Sequence, residues 1–110
     1  MGAIIDKAKA AIDRVDQLGD LAARIFTEFD RDRILRDAAA AEERVAQSAT
    51  DLPLAGMLVS VKDLYDEAGV TTTAASKLLQ GRPAATRDCE VIARIKAAGA
   101  VPFGRTALSE

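Results

Sequence analysis

Leu58-Val59-Ser60-Val61-Lys62-Asp63, followed further along by Asp88-Cys89-Glu90-Val91-Ile92-Ala93-Arg94-Ile95-Lys96-Ala97-Ala98-Gly99-Ala100-Val101-Pro102-Phe103-Gly104, decides the fold class. The first stretch closes a Pro- and Gly-containing segment with a short apolar run bounded by turn formers, which predicts a buried strand over 58–61. In the second, Val91, Ile92, Ile95 and Ala98 share one helical face from about Asp88. Gly99 stands where such a helix can stop in a left-handed conformation. A strand from Ala100 to Gly104 follows, although Pro102 removes one ladder donor. Strand, crossover helix, strand is the order of a parallel α/β unit, because two parallel neighbours cannot be joined by a tight hairpin.

Outward from this unit, the N-terminal part reads as helical. Ile4, Ile5, Ala8, Ala11, Ile12, Val15 and Leu18 form one stripe, with Asp6, Lys7, Lys9, Asp13 and Arg14 mostly elsewhere, and Gly19 breaks the pattern. A second helix carries Ile34, Ala38, Ala41 and Val45 among Arg33, Arg36, Asp37, Glu42, Glu43 and Arg44, with Asp30 placed to cap its start. The acidic residues of both helices alternate with Lys and Arg at helical spacing and read as solvated faces. Between the helices, Ile25 to Phe29 alternates as a short strand does.

Composition limits the function. The 110 residues hold 15 Lys and Arg against 17 Asp and Glu, a net charge of -2. Such a chain lacks the basic field that holds nucleic acid through its phosphates. With no His, no Ser-His-Asp or Cys-His nucleophile system fits within these residues, and the commonest zinc ligand is missing, so neither a metal nor another cofactor is expected. The single Cys89 cannot form an internal disulfide, and the cytoplasm is the expected compartment. No stretch approaches the roughly 18 apolar residues of a membrane span. Of the hydrophobic residues 23 are Ala, and the only aromatics are Phe26, Phe29, Phe103 and Tyr65, which predicts a thin core that is marginal without more protein around it.

Lys62 is the position with the clearest chemical potential, since it follows the apolar run directly, at the carboxyl end of a strand where sites in open α/β sheets gather. A desolvated lysine can serve as a base without histidine, though lowering its pKa from about 10.4 to about 7 takes roughly 4–5 kcal/mol. The pattern also fits an ordinary surface lysine paired with Asp63, and pattern alone does not decide between them. Thr71, Thr72, Thr73 and Ser76 after Gly69 suit either anion binding or turn chemistry. Cys89 reads as a small buried residue on the helix that starts near Asp88.

Taken together, Pro53-Leu54-Ala55-Gly56, Ser60-Val61-Lys62-Asp63, Gly69-Val70-Thr71-Thr72-Thr73, Ala98-Gly99-Ala100 and Gly104-Arg105-Thr106, followed by Glu110, resemble the opening of the amidase signature family. The likeness is close from about Leu52 to Glu110 and general before that. It implies an α/β fold with helices packed on a mixed, largely parallel sheet, of which residues 1–50 form the mainly helical N-terminal region and 51–110 the start of the core. It implies a Ser/cis-Ser/Lys triad in which Lys62 matches the lysine and acts as general base, then general acid. Both serines of that triad belong to a Gly/Ser-rich stretch absent from these residues, and Ser60, Ser76 and Ser109 lack its context. Met57 stands where many members have Pro, Ala75 where many have Gly, and Arg105 and Ala107 where Lys and Asn are common.

The resemblance therefore implies an N-terminal piece of a single amidase domain, inactive by itself, whose full-length protein cleaves the carbon–nitrogen bond of a small-molecule amide in the cytoplasm. A second reading is the A subunit of a glutamyl/aspartyl-tRNA amidotransferase, in which other subunits hold the tRNA. A homodimer and an amidotransferase complex are the assemblies open to it, with no direct nucleic-acid contact and no membrane. A third reading, of another class, is a non-catalytic α/β module for binding or assembly. Glu110 falling inside a family motif favours the first two. Lysine in place of imidazole also accounts for the missing histidine.

Overall fold

The computed structural model describes residues 2–62, 65, 67, 70 and 84–106. Within them the chain runs α1 (Ala3–Gln17), α2 (Asp20–Ile25), β1 (Phe26–Glu28), α3 (Arg31–Gln47), β2 (Leu58–Lys62), α4 (Glu90–Ala97) and β3 (Val101–Thr106). The three strands make one sheet in the order β1-β3-β2. β2 and β3 pair parallel and β1 pairs antiparallel on the other side of β3, so the sheet is mixed and the last strand in sequence is central.

Each element follows from a local cause. The Asp30 side chain accepts the Arg33 N–H at 3.2 Å and so caps α3, as its position suggests. At the other end of the α/β unit, Gly99 has φ +97, its N–H donates to the Lys96 carbonyl, and the Ala100 N–H reaches the Ile95 carbonyl. These two bonds satisfy carbonyls that the end of α4 would otherwise leave open, and the left-handed residue between them suits glycine. The short α2 after Gly19 is an element that the stripe pattern does not reveal, since none of its residues is buried.

The core lies between α1, α3 and β3. Ala8, Ile12, Ile34, Ala38, Ala41, Val101 and Phe103 are its buried members. Three of the seven are alanines, which let α1 and α3 approach closely. The alanine content thus serves helix packing rather than area burial. Phe26, Phe29 and Phe103 add an aromatic cluster, with Phe29 and Phe103 edge to face at 5.1 Å. Their closeness needs Gly104, where an added Cβ would meet the Phe26 ring at 2.7 Å.

Two sequence expectations are corrected. The strand over 58–61 is present but is not buried throughout: Val61 is buried, Leu58 and Val59 are half-buried, and Ser60 is exposed. The reason is its place at the edge of the described sheet. On α4, Ile92 is buried as expected, whereas Val91 is exposed, one residue round the helix from the face that meets β3.

The motif Pro53-Leu54-Ala55-Gly56 also finds its partner. The Leu54 N–H donates to the Ala98 carbonyl at 2.9 Å and the Gly56 N–H to the Gly99 carbonyl at 3.0 Å. The turn that feeds β2 is therefore fixed on the turn that feeds β3, and the Val101 N–H then bonds the Met57 carbonyl at 2.8 Å to start the parallel ladder.

Candidate functional site

Lys62 is the last residue of β2 and stands opposite Thr106 in the parallel register, with Val61 opposite Arg105. Val59 pairs with Pro102 and Val61 with Arg105, so Phe103 and Gly104 together face the single Ser60. This bulge breaks the strict alternation of β3 next to the end of β2. Immediately beyond, the Tyr65 N–H donates to the Lys62 carbonyl at 3.3 Å. Val61 points inward and the Lys62 side chain is exposed. It borders a groove of about 290 Å³ whose walls are Val59, Val61, Tyr65, Val91, Ile92 and Ile95 with Ser60. A single amine thus stands at the rim of a largely apolar hollow.

Behind this strand end lies a cluster of buried charge that the sequence reading misses. Arg33, Glu67 and Arg105 are buried, Arg105 completely so. Glu67 accepts from Arg105 Nη1 at 2.9 Å through one carboxylate oxygen and from Arg33 Nη1 at 3.0 Å through the other. Arg33 donates in turn to Glu28 through Nε at 3.2 Å and Nη2 at 2.5 Å, and approaches Asp37 at 3.6 Å. One carboxylate from the segment after Lys62 is therefore gripped by guanidinium groups from α3 and from the central strand.

The solvated-face reading of the acidic residues fails on α3 at Asp37 and Glu42, and Arg33 of the same helix is buried. Burial works against the charge of the Arg33 guanidinium, but the hydrogen bond to Glu28 and the charges of Glu67, Glu28 and Asp37 outweigh it and raise its pKa. Burial also raises the pKa of Asp37, only partly countered by Lys96 and Arg33, and its buried Oδ2 has no hydrogen-bond partner among the described residues. Glu42 caps a different helix from its own, accepting the Ile5 N–H at 2.7 Å and the Gly2 N–H at 2.8 Å at the start of α1. One signal in the sequence does point to the cluster. Arg105 is the only charge in the Val101–Thr106 run, and a charge inside a central strand needs an opposite one beside it.

Cys89 is half-buried at the N-cap of α4 rather than within it, and its thiol is free. Asp63, Gly69, Thr71, Thr72, Thr73, Ser76, Ser109 and Glu110 lie outside the described residues. Among the described residues, no group of three or more His, Cys, Asp and Glu is arranged to hold a metal ion, and no helix is long and apolar enough to cross a membrane.

Comparison with known proteins follows the same residues. The family model described as Amidase matches residues 6–110. The A subunit of the glutamyl-tRNA(Gln) amidotransferase of Bordetella petrii is 40% identical over 98 residues, which is 89% of this chain and 18% of that protein. The AtzE subunit of the 1-carboxybiuret hydrolase of Pseudomonas sp. (strain ADP) is 36% identical over 107 residues, 97% of this chain and 22% of that one. Among solved structures, the inhibitor-bound complex reported as "An unexpected vestigial protein complex reveals the evolutionary origins of an s-triazine catabolic enzyme" superposes with a TM-score of 0.81 at 34% identity. It is matched by 97% of this chain, over 23% of its own chain. The chain thus spans about a fifth of the length of the curated relatives it matches.

Proposed function

This chain belongs to the amidase signature family, and on that footing we propose that the full-length protein hydrolyses a carboxylic amide through a Ser/cis-Ser/Lys triad to which this chain contributes Lys62. Both serines lie beyond these residues. In the reaction, neutral Lys62 takes a proton from the bridging serine as that serine takes one from the nucleophilic serine, whose oxygen bonds to the amide carbonyl carbon. The Lys62 ammonium then returns the proton along the same path to the leaving nitrogen as the carbon–nitrogen bond breaks. Water cleaves the acyl-serine ester by the same relay and releases the acid.

The observation that carries this reading is the position of Lys62: last in β2, at the carboxyl end of a parallel pair, exposed, at the rim of an apolar groove. The Lys62 side chain is exposed among the described residues, so this reading requires the remainder of the domain to supply the desolvation that a neutral lysine needs. In the full-length protein, Lys62→Ala and Lys62→Met should each lower kcat roughly 100- to 10,000-fold with the fold retained. Near-normal turnover would overturn the assignment. The chain by itself should not hydrolyse amides, since a base without its nucleophile cannot transfer an acyl group. Hydrolysis that survives Lys62→Ala would point to a different site.

A second reading is favoured by the 40% identity to the A subunit of an amidotransferase. There the same triad frees ammonia from glutamine for transfer to a tRNA-bound acid, in a complex with partner subunits. Ammonia release from glutamine that depends on added partner subunits would select this reading, and hydrolysis of simple amides by the protein alone would select the first.

A further inference from the structure

We infer that Glu67, clamped between Arg33 and Arg105, is a positioning residue that fixes the backbone carrying Lys62. The inference rests on Lys62 being the general base. Lys62 is held from before by the parallel ladder, with Val61 opposite Arg105 and Lys62 opposite Thr106. It is held from after by the Tyr65 N–H, which donates to its carbonyl, and then by Glu67, five residues on. Arg105 takes part in both restraints, since its backbone lies opposite Val61 while its Nη1 donates to Glu67 at 2.9 Å. Arg33 completes the clamp from α3 at 3.0 Å and is itself fixed by two hydrogen bonds to Glu28 of β1. The Glu67 carbonyl also accepts the Val70 N–H at 3.0 Å, so main chain and side chain are both engaged.

Stability alone is a poor reason for this arrangement. Taking two guanidiniums and a carboxylate out of water is costly, and apolar groups of the same volume often serve as well or better. What such a cluster provides is a single geometry, because a carboxylate bonded through both oxygens to two fixed guanidiniums has little freedom to shift. A base that must reach a serine within hydrogen-bond distance depends on that kind of restraint, and a displacement of about 1 Å can lower turnover about 100-fold.

The test uses the full-length protein with a small amide substrate. Glu67→Gln keeps the shape and removes the charge. It should lower kcat roughly 10- to 100-fold with KM little changed. Among the described residues, the groups facing Glu67 are Arg33 and Arg105, with Glu28 and Asp37 behind Arg33. Arg105→Lys, which keeps the charge but not the fork, should show the same pattern more weakly and serves as the readout if Glu67→Gln does not fold. A folded variant with unchanged kcat overturns the inference. So does a loss of rate that only follows the fraction of folded protein. If Lys62→Ala leaves turnover intact, the general-base reading falls and takes this inference with it. Loss of activity in Lys62→Ala with none in Glu67→Gln or Arg105→Lys overturns the positioning role alone.

Discussion

A methyl group added to Gly99 would lie 2.8 Å from the Ala55 Cα, closer than side-chain carbons come to backbone in folded proteins. The contact exists because the turn before β2 rests directly on the turn before β3, joined by the bonds from Leu54 to Ala98 and from Gly56 to Gly99. Gly99→Ala therefore carries two penalties. The left-handed φ of +97 disfavours any Cβ by about 1 kcal/mol, and overpacking against backbone that cannot yield adds about 1–3 kcal/mol. Urea unfolding of this variant should show a loss of about 2–4 kcal/mol, with the midpoint moving and the slope unchanged.

Glu42 joins α3 to the start of α1, and its charge is part of the joint. The Ile5 N–H bond holds its carboxyl below the usual range, against some desolvation, with the Gly2 and Ile4 N–H groups helping. Because the folded pKa is depressed, the stabilisation is present above the unfolded value near 4.3 and is lost as pH falls through the folded value. Glu42→Gln should accordingly lower the melting temperature at pH 7 and converge with the parent in acid. A gap that persists unchanged at low pH would assign the effect to packing instead.

Legibility in the sequence follows burial by apolar groups. The α1 and α3 stripes, the Asp30 cap, the Gly99 stop and the strand, helix, strand order of the C-terminal unit all depend on local periodicity or turn chemistry, and all are present. The antiparallel partnership of β1 with β3 is not legible, since it joins residues about 80 positions apart and leaves only three residues of pattern. The same holds for the buried charge. Arg33 and Asp37 sit at helical spacing among other charges and look like a solvated face, and only the fold brings Glu67 and Arg105 to them. Lys62 stands out by its place after an apolar run, while its exposure follows from β2 lying at the edge of the described sheet.

Asp37 offers the opposite pH behaviour to Glu42. Burial raises its pKa more than Lys96 and Arg33 lower it, and Oδ2 lacks a hydrogen-bond donor among the described residues. A group whose folded pKa is raised favours the fold below its unfolded value, and that contribution is lost as pH rises through the folded one. Ionised Asp37 is thus a net cost at neutral pH. Asp37→Asn should raise the melting temperature at pH 7, with the gain shrinking as pH falls and the parent's carboxyl becomes protonated. A neutral-pH loss of stability would mean that the 3.6 Å contact with Arg33 outweighs the burial.

Arg105 and Glu67 allow the pair to be separated from the lone charge. Arg105→Met leaves Glu67, 1% exposed, with Arg33 of α3 as a charge partner and without the guanidinium of β3. Removing one member of a buried pair typically costs about 3–5 kcal/mol, most of it from stranding the other. Replacing both removes the stranded charge, so Arg105→Met with Glu67→Leu should be less destabilised than Arg105→Met alone, giving a coupling energy of about 1–3 kcal/mol in a double-mutant cycle. Arg33 keeps Glu28 and Asp37 in the double variant and remains compensated. Activity should separate from stability here: the double variant regains stability but not turnover, because an apolar contact fills the space without the two-oxygen clamp at position 67. Recovery of kcat together with stability would reduce the cluster to a packing element.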